Sequence, residues 1–362
     1  MKALHQFLPS YAVHDAIGGH ARQIRRLARE MGLRSDIYAG NARRSGDALP
    51  LADFERMPVS RDAVLLYHLS TGSALVELLL HRPEPKVVNY HNVTPAQFFD
   101  GWDPPMAAEL SVGRHQLEAI AAAADLGIAV SAFNERELRT AGFRETAVAP
   151  VLVDLEAFDR AVDHQALARL TKAKAKAGGG ADLLFVGRLA PNKAQHDLLK
   201  ALAAYRRVYD PKARLHLVGT SSSESYRTAL VAYADRLGLA EAIEFTGSVS
   251  DGVLAAHYRA ADVFVCVSEH EGFCVPLLEA MHHRVPIVAY AAAAVPETLA
   301  GAGVLLPTKD PLTVAAAVNR VLADETLAAA LRERGCVRLG DFSLERSRRR
   351  FTEVLEAYLS GG

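Results

Sequence analysis

Short strand-like runs at residues 2–8, 35–39, 63–67, 86–90 and 126–130 alternate with longer stretches whose apolar positions recur at helical spacing. Runs of that length with intervening helices predict repeated βα units and a parallel sheet. The same alternation restarts at residue 182 with DLLFVGRL, followed by RLHLVG, AIEFTG, ADVFVCVS and VPIVAY, each pair separated by a helical pattern. Two doubly wound, Rossmann-like α/β domains are therefore expected, at 1–155 and 182–342. Residues 156–181, rich in Ala and Lys and ending in Gly178, Gly179 and Gly180, read as a linking helix and flexible joint. The last segment, 343–362, spaces Phe351, Leu355 and Leu359 along one helix face and is expected to pack back on the first domain.

Composition fits this layout, since 362 residues with 50% hydrophobic content exceed the usual size of one domain. Charge narrows the partners. With 41 basic and 42 acidic side chains the net charge is −1, which excludes nucleic acid as a bulk electrostatic partner. Cys266, Cys274 and Cys336 have neither disulfide nor metal-ligand spacing. The start MKALHQFLPS is strand-like rather than a charged leader, and no run of eighteen apolar residues occurs. The expected location is the cytoplasm, with peripheral contact at the inner membrane face if the acceptor is lipid-linked. Arg22, Arg25, Arg26 and Arg29 share a helix face that either meets solvent or approaches anionic lipid.

Three segments hold candidate chemistry. In SEHEGFCVPLLEAM, residues 268–281, Glu271 falls in the loop after a predicted buried strand, and Glu279 in the helix that Pro276 opens. Ligands of open α/β sheets bind outside the carboxyl ends of the strands, so two carboxylates there can accept hydrogen bonds from sugar and ribose hydroxyls. In FVGRLAPNKAQHDLLKAL, residues 185–202, Arg188 and Lys193 again follow a strand. Two fixed cations can stabilise a diphosphate leaving group. Near the N-terminus Gly18 and Gly19 precede an amphipathic helix, where glycine permits close approach of an anion to free amides or simply satisfies a turn with positive φ.

Taken in this order, the Gly-Gly turn, GRLAPNK, EHEGFCVPLLEAM and VPE at 295–297 resemble retaining glycosyltransferases of the GT-B fold, family 4, also called glycosyl transferases group 1. The resemblance covers nearly the whole chain and is most specific over 182–310. It implies two Rossmann-like domains facing a cleft, a nucleotide-sugar donor (UDP- or GDP-linked hexose) and a hydroxyl-bearing saccharide, lipid-linked or small-molecule acceptor, as in polysaccharide biosynthesis. It assigns catalysis to Arg188, Lys193, Glu271 and His91. Donor binding falls to Gly18, Gly19, Gly187, Gly219, Val249, Gly272, Phe273, Cys274, Val275 and Glu279, with His14, Phe98 and Trp102 as acceptor candidates. No metal or other cofactor is expected, because no Asp-x-Asp motif appears and two cations can neutralise the diphosphate. A phosphorylase or epimerase, and a nucleotide-sugar-binding pseudoenzyme, are the competing readings. A nicotinamide dehydrogenase fits worse, since the glycine pair lacks the Gly-x-Gly-x-x-Gly spacing.

Overall fold

The strand-like runs of the first half form a seven-stranded, all-parallel sheet in a computed structural model that describes residues 3–12, 15–42 and 46–361. Its strands are β1 (Ala3–Leu8), β2 (Ile37–Ala39), β3 (Leu49–Pro50), β4 (Ala63–Leu69), β5 (Lys86–Tyr90), β6 (Leu126–Ala129) and β7 (Thr146–Val148). The spatial order is β3-β2-β1-β4-β5-β6-β7, so the winding reverses between β1 and β4. Both faces of β1 and β4 are buried, as a helix-covered parallel sheet requires, although β1 carries the polar His5 and Gln6 and β4 carries His68. The two edge strands β3 and β7 are too short to leave a strand-like run, and sequence periodicity did not find them.

Contacts divide the chain into two units: residues 1–100, 104–153 and 342–362, and residues 101–103 and 154–341. The C-terminal helix Leu344–Gly361 belongs to the first unit, where Phe351, Val354 and Leu355 join Leu4, Ile24, Val64 and Val87 in one core. That helix is also tied by Arg350 to the Val148 carbonyl and by Tyr358 to Asp125.

The second unit holds a six-stranded parallel sheet of β8 (Asp182–Val186), β9 (Arg214–Val218), β10 (Ile243–Gly247), β11 (Val263–Cys266), β12 (Ile287–Tyr290) and β13 (Val304–Leu306). Their order, β10-β9-β8-β11-β12-β13, reverses between β8 and β11. The core beneath it gathers Leu183, Phe185, Leu198, Leu202, Val263, Val265 and Val318.

The segment between the two expected domains contains helix, as its composition suggested. Residues 156–181 form the helices Glu156–Ala161 and His164–Lys176, both packed on the helix Asp251–Ala260 of the second unit. Gly178 and Gly179, with φ of +91° and +81°, end the second helix by returning their amides to Ala175 and Lys174. Gly180 lies against the Lys212 backbone so closely that a Cβ would come within 2.3 Å of its carbonyl carbon. Positive φ explains Gly178 and Gly179, and close packing explains Gly180.

Candidate active site

Every catalytic or donor-binding candidate of the second unit lies on a loop, or on the helix next to it, at the carboxyl ends of the parallel strands. Gly187 and Arg188 follow β8, Gly219 follows β9, Val249 follows β10, and Glu271 to Val275 follow β11. A reversal like that between β8 and β11 is where open α/β sheets place their ligand crevice, because helices leaving neighbouring strands pass to opposite faces. Backbone is drawn tightly together there. Gly219 has φ of +142°, and a Cβ on it would stand 2.2 Å from the Gly187 carbonyl oxygen, so only glycine fits.

Lys193 and Glu271, expected separately as a cation and a carboxylate, are one ion pair with Nζ 2.6 Å from Oε2. The loop carrying Lys193 is fixed from below. Asn192 donates to the His270 carbonyl and accepts from the Glu269 amide, stapling the GRLAPNK loop to the SEHEG loop. Gln195 donates to the Arg188 carbonyl, and Lys309 bridges Asp197 and Glu269 at 2.5 Å each. Asn192 and Gln195 stand inside a motif that sequence reading quoted without giving them a role, and Lys309 has no motif at all. Arg188 itself is exposed.

Cys274 sits at the cap of the helix Val275–His282 with φ of +71°, a left-handed conformation that glycine adopts more easily. It shapes the turn Gly272–Cys274, which is anchored by Thr298 donating to the Phe273 carbonyl at 2.6 Å and by the Ala294 amide on the Glu271 carbonyl. One turn into the helix, Glu279 is only 8% exposed and accepts a 2.7 Å hydrogen bond from the Tyr258 hydroxyl. Burial pushes its carboxyl up to about 7, opposed by the Tyr258 bond and helped by the charge of Asp251. Tyr258 was missed, since nothing in AAHYRAAD distinguishes it from a core tyrosine.

In the first unit Gly18 and Gly19 occupy the opening turn of the helix Ala16–Glu30, and neither has positive φ. The reason for Gly18 is proximity: a Cβ would meet the Ala12 carbonyl oxygen at 2.2 Å. A turn requirement for positive φ, one of the two readings of this pair, is therefore not the explanation. His91 follows β5 and hydrogen-bonds through its Nε2 to His68 Nδ1 at 2.9 Å. Phe98 ends a short 3-10 turn in this unit and is half-buried, whereas Trp102 groups with the second unit. There Trp102 meets Tyr226 edge-on at 5.1 Å, and its carbonyl accepts from Ser223 and Ser225. His14 lies outside the described residues. Of the arginines on the first helix, Arg25 pairs with Asp47 and Arg26 with Glu30, as surface charges do.

Three side-chain groups among the described residues lie close enough to share a cation: His20, His68 and His91; His216, Glu244 and His257; and Cys266, Glu271 and Cys274. Protein partners already engage them. His68 uses both ring nitrogens in hydrogen bonds, His216 lies between Asp182 and Glu244, and Glu271 is held by Lys193. No helix among the described residues is long and apolar enough to cross a membrane.

Comparison with solved structures shows the same architecture over the full chain. Sucrose-phosphate synthase of Thermosynechococcus elongatus superposes with a TM-score of 0.78 at 19% identity, covering 100% of both chains. HepE of Anabaena, crystallised with UDP and glucose, superposes with a TM-score of 0.73 at 18% identity over 98% of this chain and all of that one. Among curated proteins, D-inositol 3-phosphate glycosyltransferase of Geodermatophilus obscurus is 36% identical over 241 residues, 64% of this chain and 52% of that protein. A GDP-mannose-dependent α-(1-6)-phosphatidylinositol monomannoside mannosyltransferase of Mycolicibacterium smegmatis is 32% identical over 61% of this chain and 59% of its own length. The chain thus spans about half the length of the curated relatives it matches. The two Rossmann-like units are those of the GT-B fold, and residues 168–337, all within the second unit, match the family described as glycosyl transferases group 1.

Proposed function

We propose that this protein is a retaining glycosyltransferase of family 4 that holds a UDP- or GDP-linked hexose in its second unit and transfers the hexosyl group to an acceptor hydroxyl. The observation that supports this most is the Lys193–Glu271 pair at the β8/β11 reversal, with Arg188 on the same loop as Lys193 and buried Glu279 in the helix that follows Glu271. A diphosphate entering the crevice competes for the Lys193 ammonium and frees Glu271 to accept hydrogen bonds from sugar hydroxyls. Arg188 and Lys193 then stabilise the charge that grows on the departing diphosphate, the role that a divalent metal plays in other transferases. Glu279 accepts from the ribose hydroxyls and releases its proton as it does so. Retention follows from a front-face displacement: the acceptor hydroxyl attacks on the side the diphosphate leaves, and a diphosphate oxygen takes its proton. The acceptor is a polyol, saccharide or lipid-linked glycan, consistent with relatives named for inositol phosphate and phosphatidylinositol mannoside.

The test is turnover of UDP- and GDP-hexoses with inositol phosphates and simple saccharides, following the product anomer by proton NMR with and without EDTA. An α-linked product from an α-linked donor, formed equally well in chelator, is expected. A β-linked product, or activity abolished by chelator, overturns the mechanism. Dependence on inorganic phosphate turns the reading towards a phosphorylase.

A further inference from the structure

The first unit contains a buried hydrogen-bonded row that sequence reading did not anticipate. Gln6 on β1, His68 on β4 and His91 after β5 lie side by side on neighbouring strands, across the point where the winding reverses. Gln6 Nε2 donates to the Ala21 carbonyl at 3.0 Å, His68 Nε2 lies 2.9 Å from Gln6 Oε1, and His68 Nδ1 lies 2.9 Å from His91 Nε2. The two imidazoles are nearly coplanar, 16° apart with centroids at 5.2 Å, so the nitrogens meet end to end. Gln6 and His68 are completely buried, and His91 is partly exposed.

This row has one consistent assignment of protons. A carbonyl cannot donate, so the Gln6 amide must turn its NH2 to Ala21 and its oxygen to His68. His68 therefore donates from Nε2. Burial holds both His68 and His91 well below the usual histidine range, so each ring is neutral near pH 7 and bears a single proton. With its proton on Nε2, His68 offers only a lone pair at Nδ1, and His91 must fill that contact with its own Nε2–H. His91 Nδ1 is then left unprotonated. His20 does not compete for the contact: its Nδ1 accepts from the Leu152 amide, and its Nε2 has no partner within hydrogen-bond distance among the described residues.

We propose that Gln6 and His68 are positioning residues that lock His91 in the Nε2–H tautomer, so that its Nδ1 serves only as a hydrogen-bond acceptor for a hydroxyl of a polyol or sugar ligand. The assignment of that ligand rests on the proposed function, whereas the tautomer itself does not. A histidine free to switch tautomers would accept or donate according to its partner, but the row removes that choice before any ligand arrives. The ring is also held in place by its backbone amide on the Leu69 carbonyl.

Nitrogen-15 spectra of the full-length protein labelled at histidine test the proposal, with His91 assigned by loss of its signals in His91→Gln. The wild type should show His68 and His91 as single Nε2–H tautomers at pH 7, with the His91 Nε2–H slow to exchange with water. In His68→Leu the acceptor is gone, and the His91 proton should exchange freely. His68→Asn keeps an acceptor oxygen two bonds from Cβ, where the Nδ1 stood, and should restore protection. Wild-type His91 protonated at Nδ1, or protection unchanged in His68→Leu, overturns the assignment. Should the leucine variant fail to fold, the wild-type and asparagine spectra still decide. If the chain turns over a nucleotide sugar, His68→Leu should lower kcat by roughly tenfold or more, with the donor KM little changed and His68→Asn in between. A KM effect without a kcat effect contradicts the positioning role. Absence of turnover in the wild type would defeat the proposed function and leave the spectroscopic result standing.

Discussion

Glu279→Gln should stabilise the second unit by an amount that grows with pH. Burial holds the folded carboxyl at about 7, whereas 4.5 is ordinary for an exposed glutamate. Below pH 4.5 the group is neutral in both folded and unfolded chains and costs nothing. Between 4.5 and 7 the unfolded chain ionises freely, while the folded chain either keeps its proton or buries a charge, so stability falls through this window and levels off above it. The difference between about 7 and 4.5, at 1.36 kcal/mol per pH unit, is on the order of 3 kcal/mol. Glutamine keeps the side-chain length, and its amide oxygen can still accept from Tyr258, but it does not titrate. For a unit of this size 1 kcal/mol moves the midpoint by roughly 2–4 °C. Scanning calorimetry of both proteins from pH 4.5 to 8.5 should therefore show the midpoint gap widening by roughly 6–12 °C towards the alkaline end. A gap that stays constant would refute the claim that Glu279 is held as a buried, largely protonated acid.

The same carboxyl predicts that affinity for UDP or GDP strengthens from about pH 6 to pH 8, because ribose hydroxyls need an ionised acceptor; calorimetry in buffers of different ionisation heat should detect net proton release near pH 7. Lys193→Ala should lower turnover by roughly 10² to 10³, the usual loss of one transition-state charge partner, with a normal circular-dichroism spectrum; near-normal turnover removes Lys193 from the mechanism. Phe351 is fully buried in the first unit's core, so Phe351→Ala should cost roughly 3–5 kcal/mol and expose the C-terminal helix to limited proteolysis.

Much of the architecture was legible because short strand-like segments alternate with helical patterns, and ten such segments marked ten of the thirteen strands among the described residues. The short edge strands Leu49–Pro50, Thr146–Val148 and Val304–Leu306 give no such signal, since their place at a sheet edge is decided by neighbours distant in sequence. The glycine-rich stretch at 178–180 carries a related ambiguity. Sequence shows that glycine is present but not whether it provides freedom or admits the Lys212 backbone. Around the candidate site, strand-loop-helix grammar located Arg188, Lys193, Glu271 and Glu279, but pairing between them was not readable, so the direct Lys193–Glu271 contact came as new information. Supporting residues were less visible still. Asn192, Gln195, Tyr258, Gln6 and His68 act through partners 7 to 78 positions away, and one unaligned chain records no such distances.

The central claim is that the crevice between β8 and β11 holds a nucleotide diphosphate sugar. Titration calorimetry of UDP, GDP and their hexose conjugates tests it most directly, using the wild type beside Glu279→Gln. The account predicts one-to-one binding of at least one nucleotide, weakened by about 1–3 kcal/mol in the variant as a charge-assisted hydrogen bond becomes a neutral one. Silence from every nucleotide, or equal affinity in both proteins, would contradict it.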